Sequence, residues 1–310
     1  ISCSIGVAIY SDHGHSVNEL MANADLAMYR AKAVNRTITN WVIYDESNKD
    51  RANLAEQIRW KSRIETALNE ERILLRYQPI QSLHDGQIYH CEGLMRMIGE
   101  NGEIIPPGDF IPHAENIGLI SQLDRRGIDI ALMHMNQLLL QGKFPKVSLN
   151  ISAKTLEDAS FYDFLKQRLA HSNIPGKLIT LEITETAAIE GLDSAIDKIK
   201  QLRKLGCQFA MDDFGAGFSS WLSLRQLPID YLKIDGTFIR ELAENPDDSL
   251  FVRAINEVSQ GLNIKTVAEC VEDMKTLKMI KKLGVDYVQG YIIGRPTERL
   301  SDVFSRQKAS

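Results

Sequence analysis

The alternation of short β-type runs with helical segments from residue 73 onward constrains the fold more than any other feature. The segments between the runs have a helical apolar period, and Asp109–Leu140 is predicted to be one long helix. A closed β/α barrel requires eight strands, and the sequence predicts such a barrel over residues 71–305. The eight predicted strands are Ile73–Ile80, Ile88–Met95, Val147–Ile151, Ile179–Thr184, Gln208–Asp212, Tyr231–Asp235, Ile264–Ala268 and Asp286–Val288.

The connection between the first two predicted strands departs from the regular barrel pattern. It consists only of residues 81–87, which is too short for a crossover helix. The pair Asp85-Gly86 within it is typical of a tight hairpin turn. We therefore expect a TIM-like (β/α)8 barrel variant whose first two strands pair antiparallel.

The residues before the barrel form a separate section. Residues 1–46 are predicted to fold as strand, helix and strand, which are too few elements to bury a core. We therefore expect this section to be the C-terminal fragment of another α+β domain. Residues 47–70 follow as a linker helix with an apolar stripe that includes Leu54, Ile58, Ile64 and Leu68.

Composition excludes some classes of partner. The 310 residues carry a net charge of −5, so there is no basic excess for binding duplex nucleic acid, although a small anionic ligand is not excluded. No apolar run reaches the ~20 residues of a membrane span, and the four cysteines form no C-x-x-C pair. We expect a cytoplasmic domain with free thiols and without membrane contact of its own. Whether a longer protein is tethered to the membrane stays open.

Polar side chains recur at the carboxyl ends of the predicted barrel strands, where β/α barrels place their chemistry. One such residue alone is usually structural, but so many acids at one barrel mouth would repel each other without cations. In chain order these residues are Glu92 and Arg96, Asn150, Glu182 and Glu185, Asp212 and Asp213, Lys233 and Asp235, Glu269 and Glu272, and Gln289.

The donor atoms are carboxylate and amide oxygens, which favour Mg²⁺ or Mn²⁺ over zinc. Two such ions ~3.5–4 Å apart could share Asp212 and Asp213, an arrangement that hydrolyses phosphodiesters. Lys233 could orient the attacking water, deprotonate it or stabilise charge on the phosphate. Arg96 suits a phosphate oxygen.

These motifs together resemble the EAL domain, the family of bacterial cyclic-di-GMP phosphodiesterases. The resemblance covers roughly residues 65 to 305. The first section, with S-I-G-V-A and A-D-L-A-M-Y-R-A-K, resembles the C-terminal end of a GGDEF (diguanylate cyclase) domain, without its signature loop. The matching barrel motifs are Y-Q-P (77–79), E-G-L-M-R (92–96), N-I-S (150–152), E-I-T-E (182–185), D-D-F-G-A-G-F-S-S (212–220), K-I-D (233–235), A-E-C-V-E (268–272) and Q-G-Y (289–291).

The resemblance implies a role for each site residue. Lys233, Glu269 and Glu92 are the expected catalytic residues, with Lys233 and Glu269 acting on the water. Glu185 is expected to tether the loop after the fifth strand, and Glu272 to support the metal-bound waters. The first metal is expected to bind Glu92, Asn150, Glu182 and Asp212, the second Asp212, Asp213 and Glu269, with Gln289 beside them; substrate contacts are expected from Gln78, Arg96, Asp235 and Pro296.

Two functions are compatible with this pattern. The first is hydrolysis of cyclic-di-GMP to linear 5′-pGpG, and the second is a receptor that binds cyclic-di-GMP without turnover. Receptors of the family typically lose metal ligands, and none is missing here, which favours the enzyme. The resemblance also implies a homodimer formed through the loop and helix after the fifth strand.

Overall fold

The structure, a computed structural model, describes residues 4–33, 40–45, 49–189, 192–215 and 221–305. The chain forms two compact units. One comprises residues 1–66 with 108–119, and the other comprises residues 67–107 with 120–310. None of the described helices combines the length and the apolar composition that crossing a bilayer requires.

The first unit contains two parallel strands, β1 (Ser4–Val7) and β2 (Asn40–Ile43), joined through helix α1 (Val17–Ala33). Helix α1 lies so close to β1 that a Cβ atom at Gly6 would be 1.9 Å from the carbonyl oxygen of Ala24. The strand, helix and strand predicted for this section are therefore confirmed.

Two further helices are α2 (Lys49–Asn69) and α3 (Pro107–Ile117). Within the first unit, the rings of Trp60 and His113 stack with centroids 4.8 Å apart. This stack joins α2 to α3. The helix predicted for residues 47–70 is present as α2.

The second unit is the predicted barrel. Its first strand is antiparallel to both of its neighbours, and pairing between the first two barrel strands closes the sheet. The other barrel strands run parallel, which confirms the predicted variant with its antiparallel first pair. The eight barrel strands are β3 (Ile73–Ser82), β4 (Ile88–Ile98), β6 (Lys146–Asn150), β7 (Ile179–Thr184), β8 (Gln208–Phe214), β9 (Tyr231–Ile234), β10 (Lys265–Ala268) and β11 (Tyr287–Gln289), and the short β5 (Ile104–Ile105) pairs antiparallel with the end of β4.

Around the closed order β3-β11-β10-β9-β8-β7-β6-β4, helices follow the strands along the chain. The predicted hairpin turn is present between β3 and β4, where Gly86 has a φ of 73° and donates to the carbonyl oxygen of Ser82. The helices are α4 (Ile120–Leu139), α5 (Ala153–Glu157), α6 (Phe161–Ser172), a 3-10 turn (Gly176–Leu178), α7 (Glu185–Ile189), α8 (Leu192–Arg203), α9 (Trp221–Gln226), α10 (Gly236–Arg240), α11 (Pro246–Gly261), α12 (Met274–Lys282) and α13 (Leu300–Ser305).

An apolar cluster fills part of the barrel core and is formed by Ile80, Ala210, Tyr231 and Val267. Inward residues alternate along a strand, so Tyr231 is followed two positions later by Lys233 on the same face. His90 packs against the Tyr231 ring, and burial is the main reason that its pKa falls to about 3. A neutral, buried layer therefore lies next to the charged residues at the carboxyl ends.

Two predicted boundaries were wrong. The single helix predicted for Asp109–Leu140 is two helices, because Gly118 adopts a φ of 76° and ends α3. The strand predicted for Tyr231–Asp235 ends at Ile234. Asp235 instead caps α10, with its side chain accepting a hydrogen bond from the backbone N–H of Thr237 at 2.8 Å.

Candidate functional site

The ammonium group of Lys233 lies at the centre of the acidic residues. Its Nζ atom is 2.7 Å from Glu182 Oε2 and 3.3 Å from Glu92 Oε2. It is also 2.9 Å from both Asp212 Oδ1 and Glu269 Oε1. The side chain of Lys233 is only 2% exposed, so one buried positive charge is shared by four carboxylates from β4, β7, β8 and the end of β10.

The carboxylates form two groups that could each hold a metal ion. Glu92, Glu182 and Asp212 form the first, and Asp212, Asp213 and Glu269 form the second. Within each group the ligand oxygens lie within 4.8 Å of one another. Because Asp212 belongs to both groups, two ions bound here would share a ligand.

The carboxylates of the first group are more deeply buried than those of the second. The side chains of Glu182 and Glu92 are 1% and 5% exposed, whereas those of Asp212 and Glu269 are 12% and 15% exposed. Asp213 is exposed. The second group is therefore the more accessible to solvent.

The adjacent Asp212 and Asp213 reach the same site because the backbone is irregular there. The pairing between β8 and β9 shifts register between Met211 and Phe214. Asp213 has a φ of 55°, a backbone conformation that residues other than glycine rarely adopt. In a regular strand the two carboxylates would point to opposite faces. The irregular backbone therefore lets both carboxylates take part in one acid group.

The pKa values show how costly these charges are without a cation. Burial raises the pKa of Glu182 well above its usual range, and the charges of Glu92 and Asp212 add to the effect. Burial likewise raises the pKa of Glu269 to about 8, and burial with Asp212 raises that of Asp213 to about 6. At Glu92 the opposite holds, since Lys233 and hydrogen bonds from Gln289 and Asn150 outweigh burial and lower the pKa.

Two amide side chains hydrogen-bond to the carboxylate of Glu92. Asn150 Nδ2 and Gln289 Nε2 donate to the two oxygens of Glu92 at 2.8 and 2.7 Å. Among the described residues, the buried Gln289 Oε1 has no hydrogen-bond partner. An unpaired oxygen beside carboxylates suits a hydrated hard cation, because it can accept from a bound water. The residues present therefore fit divalent metal ions.

Gln78 and Pro296 belong to neighbouring segments. Gln289 Nε2 lies 3.2 Å from Gln78 Oε1, and Gln78 Nε2 donates to the carbonyl oxygen of Gly294 at 3.3 Å. Pro296, half-buried, comes just before Thr297, which pairs with Tyr77 on β3 through two backbone hydrogen bonds. The structure therefore places the segment that contains Pro296 beside Gln78.

The other predicted residues lie at the margin. Arg96 is half-buried, and burial together with Arg76 lowers its pKa, while Glu92 opposes the shift. The charge of Asp235 raises the pKa of Asp213, although the Asp235 side chain is used as a helix cap. Glu272 is exposed and stands outside both groups of acids.

Glu185 contacts the first residue of the loop after β8. Its Oε2 atom accepts a hydrogen bond from the backbone N–H of Gly215 at 3.1 Å. Gly215 has a φ of 100°, and a Cβ atom there would lie 2.5 Å from the Phe238 ring. The rest of this loop, residues 216–220, lies outside the described residues, so the loop expected to mediate dimer contacts is not part of the structural account.

Sequence reasoning missed Asp124. This residue lies on the buried face of α4 and is only 5% exposed. Its Oδ2 atom accepts from Ser152 N, Ser152 Oγ and Thr155 Oγ1 at 2.9, 2.7 and 2.6 Å, and so fixes the turn that follows Asn150. The available signal was an aspartate in the apolar stripe of α4, four residues from both Ile120 and Ile128.

Comparison with known families matches residues 61–296 to the EAL domain and residues 1–37 to the GGDEF domain of diguanylate cyclases. The chain therefore belongs to the EAL domain family and carries part of a GGDEF domain at its N-terminal side. It spans about a third to two fifths of the length of the curated relatives that it matches.

Several curated relatives match almost the whole chain. The cyclic di-GMP phosphodiesterase PdeB of Shewanella oneidensis is 37% identical over 300 residues, which cover 96% of this chain and 34% of PdeB. The bifunctional diguanylate cyclase/cyclic di-GMP phosphodiesterase MucR of Pseudomonas aeruginosa is 36% identical over 297 residues, covering 96% of this chain and 43% of MucR.

Solved structures agree with this assignment. The MucR phosphodiesterase in complex with c-di-GMP superposes with a TM-score of 0.75 at 33% identity, covering 79% of this chain and 99% of that one. The EAL domain of FimX from Xanthomonas citri, also bound to c-diGMP, gives 0.74 at 26% identity, with 79% and 96% covered.

Proposed function

We propose that the chain hydrolyses cyclic-di-GMP to linear 5′-pGpG with the help of two divalent cations. The observation that carries the proposal is the pair of acid groups that share Asp212 at the carboxyl ends of the barrel strands. Relatives over the same residues are named cyclic di-GMP phosphodiesterases, which supports this substrate.

Mg²⁺ or Mn²⁺ is the proposed cofactor, because every candidate ligand is an oxygen atom. One ion is proposed to bind Glu92, Asn150, Glu182 and Asp212, and the other Asp212, Asp213 and Glu269, with Gln289 and Glu272 holding waters nearby. When bound, such ions polarise the phosphodiester and lower the pKa of water.

The environment of Lys233 supports one of its possible roles over the others. Its pKa is raised well above the usual range because the four surrounding carboxylates outweigh the effect of burial. A lysine in this state keeps its proton at neutral pH in the metal-free chain, which favours a charge-stabilising role over that of the base. We therefore assign Lys233 to hold the carboxylates in place and to stabilise negative charge on the phosphate.

Glu269 is the better candidate for the base. It is the more exposed of the two Lys233 partners in the second acid group, so a water can approach it more readily than Asp212. In the proposed step, a water oxygen attacks phosphorus and passes a proton to Glu269. The P–O3′ bond breaks, the released 3′ oxygen takes up a proton that Glu269 returns through solvent water, and the phosphate stays on the 5′ oxygen.

Substrate contacts are proposed for four residues around this centre. Arg96 provides a positive charge suited to a phosphate oxygen. Gln78 lies in the hydrogen-bond network that includes Gln289 and Gly294, and Pro296 is in the same segment as Gly294. Asp235, next to Asp213, is proposed to contact the dinucleotide from the other side.

The proposal also includes a cytoplasmic location and a homodimer formed through the loop after β8 and α9. The hydrogen bond between Glu185 and Gly215 supports a link from this loop to the acid groups, because Gly215 is two residues from Asp213. Sedimentation velocity at micromolar concentration should show a dimer. A monomer at all concentrations would exclude this part of the proposal.

A substitution at Asp213 tests the catalytic proposal without disturbing a buried residue. Asp213→Asn keeps the shape of the side chain but weakens binding of a cation to the second acid group, so the rate of pGpG formation should fall by ~100-fold or more. Asp163→Asn, on the exposed first turn of α6, is the matched control and should retain the wild-type rate. If Asp213→Asn also retained that rate, the second acid group would have no catalytic role.

A further inference from the structure

A cavity lies at the opposite end of the barrel from the acid groups. It has a volume of about 510 Å³ and is lined by residues from three αβ connections and strand starts. Lys146 is the first residue of β6, Gln208 is the first residue of β8, and Lys177 belongs to the 3-10 turn that immediately precedes β7. The cavity therefore opens at the amino-terminal ends of these strands.

This cavity is separate from the proposed catalytic site. The same strands carry both, but Lys146 and Asn150, like Gln208 and Asp212, are four residues apart. At a rise of about 3.3 Å per residue the two positions are separated by ~13 Å along each strand. Tyr231 on β9, which packs against His90, pairs with Ala210 and so lies level with the residue midway between Gln208 and Asp212. A small ligand cannot occupy both sites at once.

The charge of the cavity is positive although the whole chain is acidic. Lys146, Lys177 and Arg203 line it together with a single acid, Asp230. The Asp230 carboxylate is already used, since it accepts from Arg203 Nη1 and from the backbone N–H of Phe209. In the described part of the chain neither Lys146 nor Lys177 makes an ion pair. Lys146 has only a long hydrogen bond of 3.5 Å to Gln208 Oε1.

We propose that this cavity binds a small phosphate-bearing anion. Its volume is in the range of cavities that hold one small molecule. Two lysine ammonium groups without carboxylate partners can reach a phosphate from β6 and from the turn before β7. Leu178 and Cys207 supply an apolar wall for the organic part of such a ligand.

Binding of inorganic pyrophosphate to the whole chain in the presence of EDTA tests the proposal. Without divalent ions the catalytic end has four carboxylates around the Lys233 ammonium and Asp213 beside them, which disfavours a multiply charged anion, so calorimetry should report one saturable site at the cavity. Because no metal or cyclic-di-GMP is used, the result does not depend on the proposed hydrolysis. Absence of saturable binding would overturn the inference.

Paired substitutions locate the site. Lys146→Gln with Lys177→Gln should weaken pyrophosphate binding by ~10-fold or more, because two charge-assisted hydrogen bonds are lost. Lys166→Gln with Lys278→Gln makes the same charge change at exposed positions outside the cavity and should alter affinity by less than ~2-fold. An equal loss in both pairs would mean non-specific attraction and would overturn the proposal.

A measurement on the unmodified chain removes any dependence on folding of the variants. Pyrophosphate should slow acetylation of Lys146 and Lys177, followed by mass spectrometry, and leave the rates at Lys166 and Lys278 unchanged. Equal acetylation of the cavity lysines with and without pyrophosphate would count against a site there.

Discussion

Replacing Lys233 with methionine should destabilise the metal-free protein far more than replacing any exposed lysine. Lys233 is the buried cation shared by Glu92, Glu182, Asp212 and Glu269, all within 3.3 Å of its Nζ atom. Removing one partner of a buried charge pair costs about 3–5 kcal/mol, because the remaining charges stay buried and unpaired. At ~2–4 °C per kcal/mol for a domain of this size, the melting temperature should fall by ~6–20 °C.

Thermal unfolding in EDTA measures this loss, and Lys265→Met is the matched control. Lys265 lies on the adjacent strand β10 and pairs with Asp286 at 2.7 Å, but its side chain is 58% exposed. An exposed pair contributes at most about 1 kcal/mol, so this variant should lose no more than ~4 °C. Mg²⁺ should restore part of the stability of Lys233→Met, because a bound cation compensates the same carboxylates.

The reasoning would be refuted if Lys233→Met and Lys265→Met lost the same amount of stability in EDTA. That result would mean that the four carboxylates do not depend on Lys233 for charge compensation. A loss in Lys233→Met that Mg²⁺ left unchanged would separately show that the acid groups do not bind the cation.

Two further predictions concern pH and Asp124. Glu269, with a pKa raised from 4.5 to about 8, binds its proton more tightly in the folded chain, so stability of the metal-free protein should fall as pH rises from about 4.5 to about 8. Urea unfolding of the wild type and of Glu269→Gln in EDTA at pH 5 and pH 8 checks this. If the difference in free energy of unfolding between the two proteins were the same at both pH values, the prediction would be contradicted. Asp124→Ala should cost about 3 kcal/mol, because three donors lose one buried acceptor. In urea unfolding, Asp129→Ala on the same helix, which breaks a part-exposed pair with Arg168, should cost less than ~1 kcal/mol, and equal losses would exclude the special role of Asp124.

The barrel and the place of its acids could be predicted from the sequence because both follow from short-range patterns. The strand runs are separated by helical segments, and parallel strands place their carboxyl ends at one face. The seven-residue connection with Asp85-Gly86 left only a hairpin for the first pair, and the structure has that hairpin. The adjacency of Asp212 and Asp213 required a backbone irregularity, which is present as the register shift in β8.

The position of Lys233 among four acids could not be predicted, because it depends on how the strands are staggered around the closed barrel. Glu182 lies opposite Ala210 in the pairing of β7 with β8, so its carboxylate is offset from Asp212 by two residues. Such offsets are set by closure of the whole sheet.

The end of α3 directly before Gly118 could not be predicted from the sequence for another reason. Apolar residues continue at helical spacing on both sides, and a single glycine is tolerated within such a pattern. Only the positive φ shows that it ends the helix. The basic cavity likewise joins loops that are distant in the sequence, and no local pattern links Lys146 to Lys177 or Arg203.

The most direct test of the account is the rate of linear pGpG formation from cyclic-di-GMP as a function of Mg²⁺ concentration, followed by chromatography. The two acid groups predict no product in EDTA and a rate that rises with Mg²⁺ to saturation. Tight binding of cyclic-di-GMP with no linear product at any Mg²⁺ or Mn²⁺ concentration would contradict hydrolysis and identify the chain as a receptor.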